Sequence, residues 1–143
     1  WAKDMSIGSR MFNARAETLA EKPSFRAALR QRRCLILADG FYEWQKPASG
    51  KGKSQPFHFR LQGDEPFMFA GLWESWRQPD GEALLSCTLI TCAANETVAP
   101  IHERMPVILR GEQPWEWLHG PAQNLLAPLP ADALTVEKVS APG

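Results

Sequence analysis

The sequence predicts an α+β domain: a curled, mostly antiparallel β-sheet, barrel-like in its curvature, with a few short helices. Three observations predict it. Short apolar or alternating runs recur along the 143 residues, each closed by a Gly, Pro or Asp turn signal. Only two or three segments carry a helical pattern. The connections between the runs are too short for helical crossovers throughout, so a doubly wound parallel sheet does not fit. By length the chain reads as one domain over 1–143.

The elements follow in order. Residues 1–12 have little periodicity, and Ser6, Gly8 and Ser9 mark a loop. Asn13 to Thr18 is polar but interleaved with Ala. Lys22-Pro23-Ser24 starts a helix, since Pro is tolerated in the first turn. That helix runs to about Arg33, with Phe25, Ala28 and Leu29 on one face and Arg26, Arg30 and Arg33 around the others. Cys34–Ala38 is an apolar run of buried-strand type, stopped by the turn signal Asp39-Gly40. Gln45 to Gln55, with Pro47, two Gly and three Lys, is a loop. Phe57–Leu61 alternates as a half-buried strand. Phe67–Leu72 is another strand, after the turn at Gly63-Asp64. Beyond Pro79-Asp80-Gly81, Leu84–Ala93 is a central strand by its apolar and β-branched content. Val107–Leu109 is a short strand, Glu112–His119 and Ala122–Leu126 are short helices, and Thr135–Val139 is a last strand.

Bulk properties narrow the class. With 44% hydrophobic and 22% charged residues the composition is that of an ordinary soluble protein. No apolar run approaches the roughly 20 residues of a membrane helix, and no signal peptide is visible. Three scattered Cys make no disulfide framework, so a reducing cytoplasm is the expected setting. Zero net charge conceals a division: twelve Lys/Arg against five Asp/Glu up to Arg60, net +7, and four against eleven from Leu61 onward, net −7. Neutral overall balance argues against indiscriminate coating of nucleic acid. The basic half either supplies one phosphate-binding face or pairs with the acidic half across the fold.

Two stretches hold acid–base chemistry. In Phe41-Tyr42-Glu43-Trp44 a single carboxylate stands among rings. Desolvation there would raise its pKa toward the range useful for proton transfer; the other reading is a solvent-facing strand residue between core aromatics. In Ile101-His102-Glu103-Arg104-Met105-Pro106, His102 sits at a strand entrance. Histidine is suited to proton transfer at neutral pH, and Arg104 can hold a phosphate or carboxylate bidentately; a structural His–Glu–Arg corner is the alternative. No metal site is expected: Cys34, Cys87 and Cys92 lack knuckle spacing and read as core thiols. Neither a Gly-rich phosphate loop nor a Gly-x-Ser-x-Gly elbow occurs, so no cofactor is expected and no nucleophile is evident.

Three ordered segments carry a resemblance. Asn13–Thr18, Ala38–Trp44 and Ile101–Pro106, with Trp1–Asp4 and Leu89–Asn95, are similar to the SOS response-associated peptidase (SRAP) family over nearly the whole chain. The resemblance implies an SRAP-like fold and a bacterial, nucleoid-associated protein; the absence of an obvious apolar surface stripe points to a monomer, and the hydropathy to no membrane partner. Its implied activity is recognition of abasic sites in single-stranded DNA, typically at junctions with duplex. Such a protein removes its own initiator Met, exposing an N-terminal Cys whose amine and thiol trap the sugar aldehyde as a thiazolidine crosslink. By the same resemblance the catalytic residues are Asn13 (holding the N-terminal residue), Glu43 (positioning or proton transfer) and His102 (acid–base at the sugar). Trp1, Arg15, Thr91 and Arg104 are implied to bind DNA. The family's Met-Cys-Gly-Arg-like start is not in the sequence, so the chain is expected to be a domain without its N-terminal portion. Two other readings stand beside this one: a non-catalytic single-stranded-DNA-binding module, and a peptidase acting on other proteins.

Overall fold

A computed structural model describes residues 12–141, with Phe12 by its backbone only. Among the described residues nine strands form the expected α+β arrangement, with a second, smaller sheet beside the main one. The larger holds β1 (Phe12–Arg15), β2 (Arg33–Ala38), β5 (Phe67–Arg77), β6 (Ala83–Ala93), β7 (Arg104–Pro106) and β8 (Ile108–Leu109). Its order is β1-β6-β5-β2, with β7 paired to β6 and β8 to β5. The smaller holds β3 (Phe41–Gln45), β4 (Gln55–Leu61) and β9 (Leu134–Lys138), in the order β3-β4-β9. Every pairing is antiparallel except β1 with β6, where Asn13 lies opposite Leu89 and Arg15 opposite Thr91.

Both sheets contribute to one core. Phe41 of β3 stacks on Phe59 of β4 at 4.9 Å and meets the edge of Phe69 of β5 at 6.1 Å. Helix α1 (Pro23–Gln31) buries Ala28 and packs Phe25 and Leu29 on this core, the face its sequence predicts. It is shorter than expected, because Arg33 already belongs to β2. Helix α2 (Gln113–His119) inserts Trp117, fully buried, whose Nε1–H donates to the Cys34 carbonyl at 2.9 Å.

Strand β5 runs to Arg77, five residues past the expected end at Leu72. Its second half pairs with β6 from Gly71 to Arg77, although Trp73, Ser75 and Arg77 alternate outward to solvent. Gly71 is where β2 and β6 both flank β5. A side chain there would meet Cys34 Sγ at 3.0 Å and the Thr88 carbonyl at 3.2 Å, so the close approach needs glycine. The expected helix at Ala122–Leu126 is a single 3₁₀ turn, Gln123–Leu125. The reading of three core thiols is corrected at one position: Cys92 is buried and Cys34 half-buried, but Cys87 faces solvent on β6.

Candidate active site

Strand β3 sets the geometry of the first catalytic candidate. Along it Phe41 points into the core, Tyr42 and Trp44 point to solvent, and Glu43 lies on the Phe41 side, half-buried. Gly40, just ahead, leaves room for the His58 imidazole, which packs on Tyr42 at 4.8 Å. The carboxyl of Glu43 is therefore on the opposite face of the strand from the rings of Tyr42 and Trp44. Burial pushes its pKa up, against an opposing pull from His102 and from its backbone hydrogen bond.

His102 is delivered by the loop between β6 and β7. Asn95 builds that loop: its Oδ1 accepts from the N–H groups of Thr97 and Val98, and its Nδ2 donates to the Leu129 carbonyl at 2.8 Å. The Thr97 hydroxyl donates to Ala131 O, Val98 is buried, and the His102 N–H closes onto Val98 O. Gln45, two residues after Glu43, donates from Nε2 to Pro100 O at 2.8 Å and ties β3 to the same loop. The result is His102 Nε2 at 3.8 Å from Glu43 Oε2. On the other side of the ring, Nδ1 lies 3.1 Å from both the N–H and the carbonyl oxygen of Arg104. As acceptor it takes the N–H, and as donor it gives to the carbonyl. The imidazole is thus anchored by the Arg104 backbone whichever role Nδ1 takes.

Arg104 is already engaged. Its guanidinium makes a bidentate pair with Glu17, at 3.1 and 2.9 Å, and Nη2 also donates to the Thr91 carbonyl and hydroxyl. Its Nε is buried without a hydrogen-bond partner among the described residues. The Arg104 hydrogen bonds hold the Glu17 carboxyl below the usual range. Thr91 is buried at the register position opposite Arg15. Arg15 is exposed, and its Nε lies 3.7 Å from Glu17. Asn13 shares the exposed face of β1 with Arg15, while Ala14 between them is buried.

Glu43 with His102, and Thr91 with Arg104 and Arg15, are therefore two adjoining groups, joined through the Arg104 backbone. Asn13 lies on the Arg15 face and makes no side-chain hydrogen bond with either group among the described residues. Trp1 lies outside the described residues. Sequence reasoning missed Glu17, Gln45 and Asn95. Asn95 followed by Thr97 carried a turn signal that could have been read; the other two partners are remote in sequence.

Two sheets sharing a core, with a carboxylate–imidazole couple where β3 meets the β6–β7 loop, define an α+β protein with a built acid–base pair. The chain belongs to the SOS response associated peptidase (SRAP) family, whose model matches residues 1–142. It is 48% identical over 146 aligned positions to the abasic site processing protein YoqW of Bacillus subtilis, covering 98% of this chain and 64% of that protein. It is 36% identical to the abasic site processing protein HMCES of Gallus gallus, covering 82% of this chain and 41% of that one. A crystal structure of a Bacteroides thetaiotaomicron protein superposes with a TM-score of 0.83 at 28% identity, over 90% of this chain and 58% of that one. A Bordetella bronchiseptica protein does so with a TM-score of 0.79 at 34% identity, over 90% and 64%. The chain thus spans less than two thirds of the length of these relatives. No described helix is long and apolar enough to cross a membrane.

Proposed function

We propose that this chain is the acid–base core of a protein that processes abasic sites, binding single-stranded DNA and bonding covalently to the abasic sugar in the DNA-damage response. The observation that carries the reading is the Glu43–His102 couple at 3.8 Å, with the Glu43 pKa raised by burial. The relatives' names support the substrate.

His102 gives a proton to the ring oxygen as the C1′–O4′ bond of the sugar breaks, and the C1′ hydroxyl proton passes to water, leaving an aldehyde. The N-terminal amine of the whole protein adds to that aldehyde. Glu43, a stronger base than an ordinary carboxylate, takes the proton released as the C–N bond forms and returns it to the departing hydroxyl. One water leaves, and the Cys thiol adds across the C=N bond to close a thiazolidine. The three Cys of this chain are poorly suited to that step. Cys34 and Cys92 are pushed up to about 11 by burial and stay protonated near neutrality, and Cys87, though exposed, has no α-amine beside it. Asn13 holds the N-terminal residue in this reading. Arg15 and Arg104 take flanking phosphates beside Thr91, with Glu17 yielding its hold on Arg104, and Trp1 stacks on a base.

The test is incubation of the full-length gene product with single-stranded DNA carrying one abasic site, read on a denaturing gel. A shifted band that survives denaturation, and falls at least tenfold in rate in Glu43→Gln, His102→Ala and Asn13→Ala, is the expected result. Reversible binding without such a band would leave a DNA-binding module and remove the covalent step.

A further inference from the structure

On its His102 side the acid–base couple adjoins a groove that its chemistry does not use. A cleft of about 700 Å³ starts at His102 and runs between two walls. One wall is Pro100–Glu103; the other is the end of β3 with the loop to β4, including Lys46 and Lys53. The Gln45–Pro100 hydrogen bond ties the two walls together. The volume is that of a ligand-sized cleft, and the groove is open along its length to solvent.

Its charge distinguishes it from most of the basic half, although Lys22 and Arg30 are likewise exposed without a carboxylate partner among the described residues. Arg32 is paired with Glu74, Arg60 with Asp64 and Glu137, and Arg104 with Glu17. Arg26 and Arg33 donate to backbone carbonyls. Lys46 and Lys53 are exposed, and neither pairs with a carboxylate among the described residues. Lys51 stands in the same loop, and the one carboxylate lining the groove, Glu103, is on the opposite wall. Gly50 and Gly52 hold the loop at φ of 70° and 107°, backbone that only glycine adopts without strain. Lysine is a point charge on a long stem, suited to a backbone whose phosphates have no fixed spacing.

We propose that this groove holds the sugar–phosphate chain of a single DNA strand on one side of the reacting nucleotide, with Lys46 and Lys53 as phosphate contacts. The assignment rests on the abasic-site reading above. A strand whose sugar sits at His102 and Glu43 must leave the couple somewhere, and the groove is the cationic exit adjoining it.

The experiment measures affinity of the full-length protein for single-stranded DNA without an abasic site, as a function of salt. It compares wild type with Lys46→Gln/Lys53→Gln and with a charge-matched control at α1 and the residue that precedes it, Lys22→Gln/Arg30→Gln. Losing two phosphate contacts lowers the slope of log K against log salt by about 1.4. Between 50 and 200 mM salt, the groove variant should then lose about sevenfold less affinity than wild type, with the control unchanged. An unchanged slope in the groove variant, or an equal drop in the control, overturns the proposal. A parallel crosslinking lane with abasic DNA separates the two claims. Wild type that crosslinks while the groove variant keeps its slope sinks the groove alone. A flattened slope without any crosslink sinks the covalent reading and leaves the groove standing.

Discussion

Glu43 is a residue whose function and stability oppose each other. Burial raises its pKa, so the folded state holds its proton more tightly than the unfolded chain does. A group with a raised folded pKa contributes most below its unfolded pKa, and that contribution is lost as pH rises through the folded value. Above that folded value the protein therefore bears the cost of an ionised, half-buried carboxylate. Glu43→Gln is expected to melt no lower than wild type at pH 7, with any advantage vanishing as pH falls below the ordinary Glu range. Thermal unfolding across pH 4–8 checks this, and a variant that melts lower at neutral pH would mean the carboxylate is a net stabiliser. The opposite sign holds at Glu17, whose carboxyl is stabilised by Arg104. Glu43 could be picked out in the sequence because its rings are neighbours in the chain, yet the cause was only half legible. Tyr42 and Trp44 turn to solvent, while Glu43 lies on the Phe41 face of β3. Glu17 was not legible as a partner of Arg104, since 87 residues separate them.

Among the elements, the β6–β7 loop decides where His102 sits, and Asn95 decides the loop. Asn95→Ala removes two bonds to backbone N–H groups and one to the Leu129 carbonyl. Leaving those groups unpaired costs about 1–3 kcal/mol. The expected outcome is a lower melting temperature together with slower crosslinking. Asn95→Asp, which keeps the acceptor and loses the donor, should recover part of both. Full activity in Asn95→Ala would show that His102 is placed by β7 instead. Strands with local signals, such as β2 and the Phe57–Leu61 part of β4, were legible from alternation and turn residues. The continuation of β5 past Leu72 was obscured because Glu74 on one face and Ser75 and Arg77 on the other break the apolar run, and its support is the β6 ladder across the Pro79–Gly81 turn. The parallel pairing of β1 with β6 was also hidden, because a four-residue strand carries no sign of its partner's direction.

Across the whole molecule, the division into two sheets leaves the core undivided. Phe59, fully buried on β4, stacks on Phe41, which in turn meets Phe69 of the larger sheet. The two halves of the charge distribution are joined as well, through Arg32 to Glu74, Arg60 to Glu137 and Glu17 to Arg104. Neither sheet can lose its contribution without opening the other, so the described fold should unfold as one cooperative unit. Phe59→Ala tests this. Truncating a fully buried Phe costs about 3–5 kcal/mol, which for a domain of this size lowers the melting temperature by roughly 9–15 °C. In a Trp44→Phe background, which removes the tryptophan of the smaller sheet, far-ultraviolet circular dichroism and tryptophan fluorescence of the full-length protein should shift together, because Trp73, Trp76 and Trp117 lie on β5 and α2 while Phe59 lies in the smaller sheet. A fluorescence transition that stays at the wild-type temperature while the dichroism transition falls would mean that the sheets melt separately. In that case the Glu43–His102 couple, which spans them, would be held by the Gln45–Pro100 bond and the β6–β7 loop rather than by a common core.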